Sequence, residues 1–457
     1  MSETTNSGRT LVLCFDGTSN QYDSENTNLP LLFSLLKKDD FNEQLCYYQP
    51  GVGTWFNPGV VSPIFAWGAK MLDYAFAWYL DAHVMDGYKF IMDNYRVGDK
   101  ICLFGFSRGA YTARALAGAL YKVGLLPKDN EQQVPFAYKL YKREDKEGIE
   151  LCKGFKQTYC QDVKIEFLGV WDTVASVGLI MGRSLPFVGS NDSIRTFRHA
   201  LSLDEHRARF QPNLYHRDDP TAVPAAYLAE RASQLEADSP IKESKDSQSD
   251  TSDSGVASGS SSDHGLPNGK KRFLPFRLRS SNGKVYTKDA EGEGSSDDVL
   301  EVWFAGCHSD VGGGAVPNDT PHALSDITLR WMVREIVKSG CGIRLDEEAV
   351  KRAGIDLTAD DDVTIETQDG QDAVQPLHDE LKLNPLWWLL EILPMTFTWQ
   401  DAQGKWVTRF GWHLGRGRKI VDSRPVFHSS VKTRMESSSL KYKPRARYTP
   451  GSEMYAS

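Results

Sequence analysis

The stretch "LFGFSRGAYTARALAG" at residues 103–118 decides how the chain is read. Gly105, Ser107 and Gly109 form a G-x-S-x-G turn between an apolar, strand-like run, "KICLFGF" (100–106), and a helical pattern, "YTARALAGALYKVGLL" (111–126). Small residues on both sides of a serine let the chain turn sharply from strand to helix and lift the hydroxyl clear of the sheet. The helix that follows points backbone N–H groups at the same place, where they favour a developing negative charge. This context makes Ser107 a candidate nucleophile. A glycine-rich turn with an incidental serine is the plain alternative.

Four further runs outside that turn read as buried strands: "RTLVLCF" (9–15), "EQLCYYQ" (43–49), "VKIEFLGVW" (163–171) and "VLEVWFAG" (299–306). Helical patterns lie between them, and strands alternating with helices indicate a mostly parallel sheet covered on both faces. Chemistry in such sheets gathers at the carboxyl ends of the strands. A later segment, "SDITLRWMVREIVKSG" (325–340), predicts a helix capped by Ser325 or Asp326 and ended by Gly340.

A serine nucleophile needs a histidine base held by a carboxylate. In α/β hydrolases these follow in the order Ser, acid, His, each just beyond a strand. "FLGVWDTVAS" places Asp172 at the end of the fourth run, and "VWFAGCHSDVGGG" places His308 beyond the fifth. Asp310 is the alternative acid. Its closeness to His308 in sequence favours instead a role in pinning the glycine-rich loop. His199, His206 and His428 lie in segments read as helix-like or late and polar, and are weaker candidates for the base. No H-E-x-x-H spacing occurs to suggest a metal site, and hydrolysis through an acyl-serine is expected to need no metal or organic cofactor.

The first run ends in "LVLCFDGTSN" (11–20), which invites comparison with phosphatases that begin in Asp-x-Asp-Gly-Thr. Their nucleophilic aspartate would fall at position 14, which is Cys14, and a thiol there cannot form a phosphoaspartate. As a hydrolase loop, Gly17 and Thr18 offer backbone N–H groups to an oxyanion, with the N–H of Arg108 as a second donor. Asp16 is expected to shape that loop.

Hydrophobic residues at 40% and charged residues at 25% suit a water-exposed globular chain, and 457 residues allow one large elaborated domain. A net charge of −8 gives no general attraction to nucleic acid. Seven scattered cysteines without a C-x-x-C pair favour a reducing compartment. "MSETTNSGRT" lacks the apolar core of a secretory signal, and no apolar run reaches transmembrane length, so cytoplasmic residence is expected. Oligomeric state is not legible.

Residues 234–297 are rich in Ser, Asp, Gly and Lys and read as a disordered insertion. Within it "KKRFLPFRLR" (270–279) reads as a solvated loop, with an import or membrane-touching patch as the alternative. The expected organisation is a hydrolase domain over 9–233 and 298–432, split by 234–297, and a C-terminal tail at 433–457. Two apolar segments, 59–80 and "NPLWWLLEILP" (384–394), read as core packing, a lid over a pocket, or an anchor for peripheral membrane contact.

Six ordered motifs together ("LVLCFDGTSN", "YYQPGVGT", "GDKICLFGFSRGAYTARALAG", "FLGVWDTVASVG", "RHALSLDEHRARFQP" and "VWFAGCHSDVGGG") resemble the domain of type VI secretion phospholipase effectors, which also occurs in fungal proteins. The resemblance spans most of 9–340, apart from the Ser-rich insertion. It implies an α/β-hydrolase fold with a Ser-Asp-His triad at Ser107, Asp172 and His308, and phospholipase activity in the bacterial members. The insertion and the aromatic C-terminal part are more similar to fungal members.

The expected activity is therefore a serine hydrolase acting on carboxylic esters, with lipid or phospholipid acyl esters as leading substrates. A soluble carboxylesterase or thioesterase of small metabolites and a non-catalytic binding protein on a hydrolase scaffold remain the alternatives.

Overall fold

A computed structural model describes residues 8–17, 22–51, 65–174, 185, 186, 188, 192–215, 298–357, 362–401 and 405–457, with side chains omitted at 65–79 and 362–366. The insertion at 234–297 and Thr18 lie outside the described residues. The chain divides into one unit of residues 1–216, 289–402 and 407–457, and a second of 217–288 and 403–406, almost all of which also lies outside them.

The described elements run β1 (Thr10–Phe15), α1 (Asn28–Leu35), β2 (Gln44–Gln49), α2 (Phe65–Asn94), β3 (Lys100–Phe106), α3 (Ser107–Val123), α4 (Val134–Lys142), α5 (Lys146–Tyr159), β4 (Ile165–Trp171) and β5 (Ile194–Ser202). They continue with β6 (Asp298–Phe304), α6 (His308–Gly312), α7 (Leu324–Ser339), α8 (Glu347–Arg352), α9 (Asp362–Ala373), α10 (Glu380–Leu383) and α11 (Trp388–Glu391). β7 (Met395–Gln400), β8 (Trp406–Gly411), β9 (Val426–His428), α12 (Ser429–Glu436) and β10 (Met454–Ala456) complete the order. Eight strands form one sheet in the order β10-β9-β6-β5-β4-β3-β1-β2, and β7 and β8 form a separate pair. Every pairing in the large sheet is parallel.

Alternation along the strands gives the sheet its two covered faces. Leu11, Leu13 and Phe15 of β1 join one apolar cluster with α2–α5 residues such as Val84, Leu116 and Leu140. Val12 and Cys14 join another with Leu29 and Leu32 of α1 and Trp331 and Met332 of α7. This is the α/β architecture that the sequence led one to expect.

Several elements differ from the sequence reading. β5 was not expected. It places His199 inside the sheet, not in a helix-like segment, because its polar side chains find partners on neighbouring elements: Arg195 on Glu166, Arg198 on Glu335, His199 on Glu301. α7 begins one residue early. Ala323 occupies the N-cap and its N–H donates to Asp326, so neither Ser325 nor Asp326 is the cap residue. The C-terminal residues 433–457 carry the edge strand β10.

The topology fixes where the site falls. β1 lies between β2 and β3, so the chain leaves β1 in opposite directions across the sheet, and the crevice at this reversal is where open α/β sheets bind ligands. The ends of β1 and β3 meet there. A Cβ on Gly109 would come within 2.2 Å of the Phe15 carbonyl oxygen, and one on Gly105 within 2.5 Å of the Ala110 Cα. Both glycines of the turn are thus required by close approach.

Candidate active site

Ser107 follows β3 directly as the first residue of α3 and holds φ +58°, a left-handed conformation that only a rigid surrounding sustains in a non-glycine residue. His308 opens α6, just beyond β6. Asp172 follows β4 with φ +38°. The three residues therefore stand at the carboxyl ends of three strands of one sheet.

The structure brings them into one chain of contacts. The Ser107 Oγ lies 2.8 Å from His308 Nε2, and His308 Nδ1 lies 2.5 Å from Asp172 Oδ2. A carboxylate at Nδ1 keeps the proton on that nitrogen and leaves Nε2 as an acceptor facing the hydroxyl. The imidazole is buried between two rings, Phe106 at 4.7 Å and Phe210, edge-on, at 4.9 Å. Burial lowers its proton affinity and outweighs the opposing pull of Asp172, so His308 sits below the ordinary imidazole value. Burial alone would raise the Asp172 pKa, but the facing Arg418 and His308 hold it well below the carboxylate range.

Asp310 points elsewhere. Its carboxylate accepts the Cys307 N–H at 2.8 Å and meets His378 Nδ1 at 2.7 Å, raising the His378 pKa. It thus fastens the start of α6 to the segment before α10. Among the other histidines, His199 Nε2 accepts the Thr173 N–H, His206 pairs with Asp379 at 2.7 Å, and His428 caps α12.

Asp16 is buried and accepts hydrogen bonds from the Thr27 hydroxyl (2.8 Å), the Tyr48 hydroxyl (2.7 Å) and the Gly17 N–H (2.6 Å). The Gly17 N–H, an expected oxyanion donor, is therefore turned toward Asp16 here. Arg108 lies in the first turn of α3, beside Ser107.

Around this chain stand four residues to which sequence reading assigned no role, Arg418, Glu205, Arg207 and Phe210, and Trp387 of the segment 384–394 read as core packing, lid or anchor. Arg418 is completely buried and forks onto Asp172, Nη1 to Oδ1 at 2.5 Å and Nη2 to Oδ2 at 2.9 Å. Glu205 accepts the His308 N–H at 3.2 Å and the Arg207 guanidinium at 2.8 Å. Arg207 lies 3.7 Å over the Phe210 ring, and Trp387 meets that ring edge-on at 5.5 Å. Glu205, Arg207 and Phe210 fall inside "RHALSLDEHRARFQP", a usable signal, whereas nothing near Arg418 marks it. Among the described residues no group of three or more His, Cys, Asp or Glu is placed to hold a metal ion.

Residues 9–335 match the family model of the type VI secretion phospholipase effector Tle1-like catalytic domain. The chain belongs to that family. It is also similar to the uncharacterized protein YEL023C of Saccharomyces cerevisiae, with 29% identity over 540 residues that cover 92% of this chain and 78% of the yeast protein. Two solved structures are similar at a TM-score of 0.37. One is an uncharacterized protein from Pseudomonas aeruginosa, at 17% identity over 82% of this chain and 52% of that one. The other is the Tle1 effector bound to the VgrG spike of the type VI secretion system, at 13% identity over 89% of this chain and 91% of that one. The chain thus spans about half the length of the Pseudomonas protein. The match to the catalytic-domain model stops at 335, well before Arg418.

Proposed function

We propose that this protein is a serine ester hydrolase that cleaves acyl esters of lipids, with glycerophospholipids as the leading substrate class. The observation that carries the reading is the 2.8 Å approach of Ser107 Oγ to His308 Nε2, with Asp172 behind the imidazole. Ser107 Oγ attacks the ester carbonyl carbon while His308 Nε2 takes its proton. The carbon–oxygen bond to the alcohol breaks, and the proton passes from Nε2 to the departing oxygen, leaving an acyl-serine. Water then attacks the acyl carbon, His308 takes a proton from it, and that proton returns to Ser107 Oγ as the fatty acid leaves. The Arg108 N–H is the proposed donor to the developing oxyanion, and the Gly17 N–H joins it only on turning from Asp16; Thr18, the other proposed donor, lies outside the described residues.

The family supports a lipid substrate, and so does a surface beside the site. Leu386, Trp388, Leu389, Ile392 and Leu393 around α11, with Phe410 and Trp412 after them, are exposed apolar side chains. Trp387, in the same segment, touches Phe210 and through it the wall of the His308 site. Aromatic and aliphatic groups presented together beside an ester-cleaving site suit the interfacial zone of a membrane. No described helix is long and apolar enough to cross one.

The test compares wild type with Ser107→Ala on p-nitrophenyl butyrate and on phosphatidylcholine–phosphatidylethanolamine vesicles. Both substrates are expected to be cleaved by wild type, with turnover falling by about 10⁴-fold or more in the variant. Cleavage of the butyrate without fatty acid release from vesicles would overturn the substrate class. No turnover of either by folded wild type would overturn the enzymatic reading.

A further inference from the structure

Arg418 is a cation with no solvent contact, and all five of its N–H directions end on protein acceptors. Nη1 donates to Asp172 Oδ1 (2.5 Å) and the Ser202 carbonyl (3.0 Å). Nη2 donates to Asp172 Oδ2 (2.9 Å) and the Phe210 carbonyl (2.6 Å), and Nε to the same Phe210 carbonyl (3.1 Å). With the Ser202 N–H on Oδ1 and His308 on Oδ2, the Asp172 carboxylate has a donor on each side of both oxygens. It cannot rotate without breaking several of these bonds at once. The fork also fixes Phe210, whose ring packs against the imidazole.

We propose that Arg418 is a positioning residue of this site: it locks the Asp172 carboxylate in the plane that holds His308, and it shares that carboxylate's charge, so that the imidazole stays a neutral base. The inference rests on the serine hydrolase reading. It also means that the functional unit extends past residue 335, where the family match ends, because the segment between β8 and β9 supplies part of the site's machinery. Arginine is suited to this task because its planar fork meets a carboxylate through two parallel bonds, which a lysine cannot do.

The charged groups facing the imidazole are Asp172, Glu205 below its backbone N–H, Arg207 across Phe210, and Arg418 behind Asp172. His199 lies on the far side of the peptide after Asp172. Removing Arg418 leaves Asp172 free to stabilise the imidazolium alone, so the His308 proton affinity rises. Replacing it with lysine keeps the charge and loses the fork.

The test uses full-length wild type, Arg418→Lys and Arg418→Met, each normalised to the fraction of sites that react with a fluorophosphonate. With p-nitrophenyl butyrate, Arg418→Lys is expected to lower kcat by about tenfold or more at unchanged KM, the acid limb of kcat/KM staying in place. In Arg418→Met that limb is expected to move to higher pH by about one unit or more. The His308 Cε1–H resonance, assigned with His308→Gln, should titrate at correspondingly higher pH in Arg418→Met.

Unchanged kcat per reactive site in Arg418→Lys would overturn the proposal, even if Arg418→Met does not fold. So would an unmoved His308 titration in folded Arg418→Met. Absence of any labelling or turnover in wild type would instead count against the hydrolase reading, and the resonance shift would still judge Arg418.

Discussion

Replacing Asp172 by asparagine tests the site most sharply, because the structure dictates how the amide must sit. Arg418 Nη1 and the Ser202 N–H both require an acceptor where Oδ1 now stands, so the amide oxygen takes that place. The amide nitrogen then occupies the Oδ2 position, facing His308 Nδ1 and Arg418 Nη2, both donors at present. To avoid opposing donors, His308 shifts its proton to Nε2, where it points at the Ser107 hydroxyl and can no longer accept from it. A tautomer error of this kind costs about 10⁴ in kcat, or about 5.5 kcal/mol of barrier.

Stability changes as well. Arg418 would be left as an uncompensated charge without solvent contact, at about 3–5 kcal/mol. This is a large share of the roughly 5–15 kcal/mol that holds a domain folded. Adding Arg418→Met removes that charge, so the double variant should be more stable than the sum of the single losses predicts, by about 2 kcal/mol. Urea unfolding of the four proteins gives the cycle, and butyrate hydrolysis per folded molecule gives kcat. Additive stability changes within about 0.5 kcal/mol would show that Asp172 and Arg418 are not coupled, and a kcat loss in Asp172→Asn below about tenfold would show that Asp172 does not set the His308 tautomer.

Other outcomes follow from the same geometry. Gly109→Ala pushes a Cβ to 2.2 Å from the Phe15 carbonyl oxygen and 2.3 Å from that of Asp16. A central strand cannot yield, so about 2 kcal/mol of stability or more and most fluorophosphonate labelling should be lost, as read by urea unfolding and gel fluorescence. The folded-state pKa of His308 lies below its unfolded value near 6.5, so the unfolded chain takes up a proton that the native chain does not as pH falls below that point. Native stability should decline there, and the acid limb of kcat/KM should lie below pH 6.5 in a rate profile. Leu389→Ser and Ile392→Ser each remove an exposed apolar group. Each should weaken vesicle partitioning by about tenfold in a flotation assay while butyrate turnover holds.

Those parts of the site were legible in the sequence that are local. The turn at Gly105, Ser107 and Gly109 announces itself because its sharp geometry demands small residues within five positions. Asp172 and His308, which the structure brings into contact, were singled out because apolar runs point to strand ends. β5 stayed hidden because Arg195, Arg198 and His199 interrupt its apolar pattern, and their partners (Glu166, Glu335 and Glu301) come from other elements. Arg418 was invisible for the same reason in stronger form, since its partner Asp172 lies 246 positions away. β9 and β10, three residues each, exist only through parallel pairing with strands distant in the chain.

The proposed activity depends above all on Ser107 being a nucleophile made reactive by His308. Incubation of the folded protein with a fluorophosphonate, followed by peptide mass spectrometry, tests it directly. One phosphonyl adduct is expected, on the peptide carrying Ser107, absent from Ser107→Ala and strongly slowed in His308→Gln. An unlabelled wild type, or an adduct on a different residue, would contradict it.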